Sequence, residues 1–132
     1  MIFTFRCCLL TFVALFLFGC SGDGLAYKVV PFEGTITYKG QPLQDIVLEF
    51  TVEGHRSSTA FVGAGGSFRA VHTPETVGIP VGKCTLVVHW AHGSDPPFPL
   101  EYTELFAKYG TDSPGFVFEV TKAERDFKIN LE

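Results

Sequence analysis

The sequence predicts an all-β protein: a seven-stranded antiparallel Greek-key β-sandwich carrying one short helix near residues 100–109. Three observations predict it. Apolar and polar residues alternate with period two through most of the chain after residue 31. Turn-forming residues punctuate that alternation at short spacing, as an antiparallel sandwich requires. One segment alone, Leu100 to Tyr109, carries its apolar residues at helical spacing. A chain of 132 residues makes a single domain, and 46% hydrophobic with 18% charged residues excludes a disordered protein. The net charge of −4 argues against nucleic acid as partner, because phosphate binding needs clustered cations.

The first segment is not part of the sandwich. After Arg6, an apolar run extends from Cys7 to Phe18, broken only by Thr11. As a helix it would span about 18 Å, short of a hydrocarbon core of about 30 Å. That length suits the hydrophobic region of a secretory signal. Leu17-Phe18-Gly19-Cys20 then resembles the box of bacterial lipoprotein signals: an aliphatic residue, a variable one, a small one, then Cys. The resemblance implies that residues 1–19 are removed and that Cys20 carries acyl chains as the new amino terminus. Residues 20–28 then form a lipidated cysteine and a short tether, and residues 29–132 the sandwich. Ser21 stands where an Asp would favour inner-membrane retention, so the expected place is the cell envelope, periplasm-facing or at the outer membrane. The competing readings are an ordinary cleaved signal or an uncleaved anchor, with Cys20 incidental. Cys7 and Cys8 fall in the signal, so Cys84 is the one thiol left in the domain and no internal disulfide supports it. The tether from Ser21 to Lys28 reaches at most about 28 Å.

Phe32, Gly34, Ile36 and Tyr38 define the first strand face, followed by a turn at Lys39-Gly40-Gln41-Pro42. Ile46, Leu48, Phe50 and Val52 define the second. Glu53 to Ser58 is a polar loop. Thr59–Val62 and Ser67–Val71 flank Gly63-Ala64-Gly65-Gly66, which reads as a hairpin turn using glycines for positive φ. His72 to Gly82, with Pro74 and Pro80, reads as a loop. Cys84, Leu86, Val88 and Trp90 share one face of a longer strand. In the helical segment Tyr102, Leu105, Phe106 and Tyr109 stand at i, i+3, i+4 and i+7. Pro99 suits its start, Gly110 its end, and Glu104 can pair with Lys108. Phe116, Phe118 and Val120, then Phe127, Ile129 and Leu131, make the last two strands.

The run from Phe32 through Gly34, Ile36, Tyr38, Gly40, Pro42-Leu43 and Asp45-Ile46 to Leu48 and Phe50 looks like the opening of carboxypeptidase regulatory-like domains. Gly66-Ser67-Phe68 resembles their Gly-x-Phe strand, and Pro80-Val81-Gly82-Lys83-Cys84-Thr85-Leu86-Val87-Val88 their Pro-x-Gly strand, with Cys84 in an aromatic's usual place. Lys108-Tyr109 through Ser113-Pro114 and the closing Asp126 to Leu131 resemble a subset of small lipoproteins of planctomycete-type bacteria. The resemblance covers roughly residues 30–132. It implies a transthyretin-like sandwich and a non-catalytic interaction module.

The chemistry-bearing residues form no catalytic constellation. The chain lacks the Tyr-Arg-Gly-Ser terminus of the transthyretin-like hydrolases. Lys28, Asn130 and Glu49 are the types an isopeptide crosslink needs, but Asn130 alternates away from the apolar face. Cys84, His89 and His55 invite a cupredoxin-type copper reading, opposed by the absence of any Met beyond Met1. His89-x-x-His92, with Asp95 and Glu101, could hold zinc but shows no third spaced ligand. Ser57-Ser58 and Ser94-Asp95 lie on no nucleophile elbow. No phosphate loop or cofactor motif is present. Trp90 and Phe98, around the long Ala91–Pro114 connection, are the candidate partner-binding residues, with Tyr102 beside them. The expectation is a non-enzymatic, exported lipoprotein held in the cell envelope by acyl chains on Cys20, engaging an envelope protein or a glycan. A metal- or small-ligand-binding sandwich is the alternative.

Overall fold

The computed structural model describes residues 26–93 and 97–132. The expected signal, Cys20 and the tether as far as Leu25 therefore lie outside the described residues, as do Ser94, Asp95 and Pro96. In chain order the strands are β1 (Val29–Val30), β2 (Phe32–Tyr38), β3 (Gln41–Pro42), β4 (Ile46–Val52), β5 (Ser58–Phe61) and β6 (Ser67–Arg69). β7 (Val71–Thr73), β8 (Thr76–Val77), β9 (Ile79–Pro80), β10 (Gly82–Trp90), β11 (Phe116–Val120) and β12 (Glu124–Leu131) follow. A 3-10 turn at Leu100–Tyr102 leads into α1 (Thr103–Tyr109). One sheet has the order β11-β10-β4-β5-β7-β8. The other runs β12-β2-β3, with β6 also paired to β2, and β1 with β9 form a small pair of their own.

The alternation read from the sequence gives the inward faces. Ile46, Leu48, Phe50 and Val52 are buried, and so are Cys84, Leu86 and Val88 opposite them. Between the sheets, Phe32 sits at the centre of an aromatic cluster. Its ring centroid lies 4.8 Å from Phe127, 5.7 Å from Phe118, 6.1 Å from Phe50 and 6.3 Å from Phe68. Such pairs add to the area term of burial, which is what a disulfide-free domain relies on.

Four local expectations change. First, the sheets are not wholly antiparallel: β12 pairs with β2 in parallel, from Glu124↔Phe32 to Leu131↔Tyr38. The chain crosses from β11 to the other sheet, and β12 enters running the same way as β2. Gly34 permits the approach, since a Cβ there would collide with the Phe127 backbone, and the register shifts between Glu124 and Phe127 at that level. Second, Gly63 to Gly66 is not a hairpin within one sheet. β5 pairs with β4 and β7, whereas β6 pairs with β2, so this turn carries the chain between sheets. Gly65 and Gly66 take φ of 71° and 79°, which only glycine adopts without strain. Buried Ala70 then returns the chain. Its N–H donates to the Phe32 carbonyl of one sheet, and its carbonyl accepts from Gly78 on the far side. Third, the segment from His72 to Gly82 is built rather than loose, containing the ends of β7 and all of β8 and β9. Fourth, Glu104 pairs with Lys39 at 2.8 Å rather than with Lys108, which donates to the Glu132 carbonyl.

β4 and β10 give the sandwich a polarity. Trp90 pairs with Ile46 at one end, and Cys84 pairs with Val52 near the other. Lys28 joins at the Val52 end, where its carbonyl accepts from Val81. This is the end from which the expected tether would leave, the tether end. The Trp90 end is distal, about 26 Å away along β10 at about 3.3 Å per residue. α1 lies at that distal end, with Leu105 fully buried and Tyr102, Phe106 and Tyr109 packed partly against the core.

Candidate functional site

The distal pocket is assembled from three places. Trp90 ends β10 on the inward face, where the strand outruns the core. Its ring meets His92 edge-on at 5.1 Å and Tyr102 at 6.2 Å. Phe98 lies between Pro97 and Pro99, just ahead of the 3-10 turn, and is 41% exposed. Its ring stands edge-to-face on Phe106 at 4.9 Å. Trp90, Phe98 and Phe106 line one shallow pocket of about 440 Å³ with His89, Thr111 and Asp112. The two sequence-predicted partner residues are thus brought together.

Thr111 and Asp112 carry no signal in the sequence, and His89 stands out there only as a metal-ligand candidate. His89 sits on the outward face of β10, one step from Trp90. Its Nε2 lies 2.7 Å from a Glu49 oxygen and its Nδ1 3.4 Å from the Thr111 hydroxyl. The other Glu49 oxygen accepts from Ser57, itself 2.8 Å from Thr51. The imidazole is therefore fixed from both sides. The order hydroxyl–imidazole–carboxylate has the members of a nucleophilic triad, but 3.4 Å is long for proton transfer out of a threonine. The network holds the pocket wall. Of these contacts only the His89 position was visible in the sequence; Glu49 lies 40 residues away and Thr111 22.

Among the described residues the metal constellations do not assemble. Cys84 points inward and His89 outward from the same strand, so they cannot share a copper ion. Burial pushes the Cys84 thiol up to about 12, leaving it unionised and inert. His92 lies 3.1 Å from Asp45 while His89 faces Glu49, so the two histidines have separate carboxylates. No group of three metal-ligating side chains occurs among the described residues. Asn130 accepts from Thr37 on the second sheet, far in topology from Glu49 on β4, so the crosslink set is also dispersed. Ser58 is fully buried.

Two further features lie outside the pocket. At the tether end, Ser58 Oγ lies 2.8 Å from His72 Nδ1, and Tyr27 Oη 2.6 Å from His72 Nε2. The Tyr27 ring also packs on His55 at 4.0 Å. Burial lowers the affinity of His72 for a proton, with Arg56 and His55 acting in the same direction. On the far side of Tyr102 runs a wider groove of about 1060 Å³, lined by Tyr38, Pro42, Leu43, Leu100 and the Lys39–Glu104 pair. The Tyr38 hydroxyl is buried there with no hydrogen bond of good geometry among the described residues, and Lys39 Nζ lies 5.3 Å from the ring centroid. The groove is the larger, but its ion pair is more than half exposed and its Leu100 almost wholly so. The smaller pocket has the fixed groups that orient a ligand. Comparison of the chain with known protein families, with curated proteins and with solved structures found no match.

Proposed function

We propose that this chain is a non-enzymatic lipoprotein of the cell envelope, a β-sandwich interaction module held to a membrane by acyl chains on Cys20. One observation supports the reading most: Lys28, where the expected tether would end, lies at one end of the sandwich, and the pocket containing Trp90 and Phe98 lies at the other. Acyl chains would hold the first end near the lipid and direct the second away from it. Two or more chains, at about 0.8 kcal/mol per buried CH₂, are enough for stable anchoring. The exposed Phe98 beside a half-buried Trp90 is the kind of aromatic anchor on which binding energy concentrates.

The test has two parts. Mass spectrometry of wild-type protein should find acyl mass on Cys20, and Cys20→Ala should leave the membrane fraction. Affinity capture from native membranes, with the lipidated protein as bait, should recover a partner that Phe98→Ala loses. An unacylated Cys20 would end the lipoprotein reading. Recovery unchanged by Phe98→Ala would end the assignment of the pocket.

A further inference from the structure

The distal pocket also carries information about what it binds. Resting on the interaction role proposed above, we infer that the Trp90–Phe98 pocket takes a neutral sugar ring.

Size comes first. A pocket of about 440 Å³ falls within the range of small-ligand sites, roughly 300–1,000 Å³. A stable protein interface needs about 800 Å² on each partner. The lining is then of two kinds. Trp90, Phe98 and Phe106 give it an aromatic side, and Phe98 meets Phe106 edge-on rather than stacked. Aromatic faces are electron-rich. The C–H bonds of a pyranose, polarised by neighbouring oxygens, present positive edges that suit such a face. His89, Thr111 and Asp112 give a polar side. With the imidazole held by Glu49 and Thr111, the Thr111 hydroxyl and the Asp112 carboxylate match the outward hydroxyls of the same ring, and a carboxylate acceptor makes the stronger bond.

Charge and polarity exclude the neighbouring classes. A wholly apolar ligand would strip water from Asp112 and Thr111 without replacing its hydrogen bonds. An acidic sugar would meet Asp112, the only formally charged side chain among the described lining residues, with Glu49 behind His89 adding the same sign. A neutral pyranose satisfies both sides.

Trp90 is the chain's only tryptophan, so its emission reports on the pocket directly. The full chain in detergent is titrated with maltohexaose, cellohexaose and chitohexaose, and with polygalacturonate as the acidic comparison. At least one neutral oligosaccharide should change the Trp90 emission saturably, and polygalacturonate should not. Phe98→Ala should weaken that response by about tenfold, the loss of one aromatic contact. Asp112→Asn should weaken it while leaving the fold, followed by circular dichroism, unchanged. Silence toward all three neutral oligosaccharides, or an equal response to polygalacturonate, overturns the inference. A protein partner captured by wild type and lost by Phe98→Ala, with silent sugars, removes the sugar assignment and leaves the binding end standing. Sugars silent and capture indifferent to Phe98→Ala would remove both.

Discussion

The two ends of the sandwich treat their polar and aromatic side chains differently. At the tether end, Tyr27, His72 and Ser58 bond to one another, and the imidazole and the serine are almost wholly buried. At the distal end, Phe98 and Leu100 stay exposed, the Tyr38 hydroxyl makes no good hydrogen bond among the described residues, and Trp90, Phe98 and Phe106 line an open pocket. One end is closed on itself. The other keeps contacts in reserve, at a cost in stability that binding can return.

The difference can be broken at the distal end by removing what holds the helix down. Leu105 is fully buried, and Leu105→Ala should lower unfolding free energy by about 2–5 kcal/mol in denaturant titration. A loss below about 1 kcal/mol would mean that α1 is merely laid on the surface. At the tether end, His72→Ala strands Ser58 inside the protein and should cost about 1–3 kcal/mol.

Acid sharpens the contrast. Because burial, Arg56 and His55 hold the folded pKa of His72 below its ordinary value, the unfolded chain binds its proton more readily. The stability from this group is complete above about pH 6.5 and is lost as pH falls below that toward the folded value. Wild type should therefore lose stability on mild acidification, and His72→Gln should lose less over the same interval. Equal slopes would remove the tether-end cluster from the account.

Phe106 is half-covered, so Phe106→Ala should cost about 1–2 kcal/mol, less than the ~3–5 of a fully buried phenylalanine. Phe98→Ala should cost less still. The smallest effect belongs to the exposed Lys39–Glu104 pair: Glu104→Gln should leave the melting temperature unchanged.

How much of this was legible in the sequence follows from range. The strand faces could be read because alternation is local: Ile46 to Val52 and Cys84 to Val88 bury the alternate residues they should. The amphipathic stripe of α1 is local too, and Leu105 lies on it. The parallel β2–β12 pair was not legible, because alternation says which face is inward and nothing of direction. Gly63 to Gly66 misled for a related reason. The same glycines serve a hairpin or a crossing between sheets, and only the partners of β5 and β6 decide. In the pocket, Trp90 and Phe98 stood out as aromatics near a long connection, whereas His89, Thr111 and Asp112 became part of it only when the chain after α1 returned to the edge of β10.

On the function proposed above, the distal pocket binds the partner, and exposed aromatic surface in general does not. Phe61 offers the control: it is 63% exposed, more than Phe98, and projects from the outer face of β5. The decisive measurement is partner recovery from native membranes with Phe98→Ala and Phe61→Ala baits of matched stability. The account predicts that Phe98→Ala loses the partner and Phe61→Ala retains it. Loss with Phe61→Ala and retention with Phe98→Ala would contradict it.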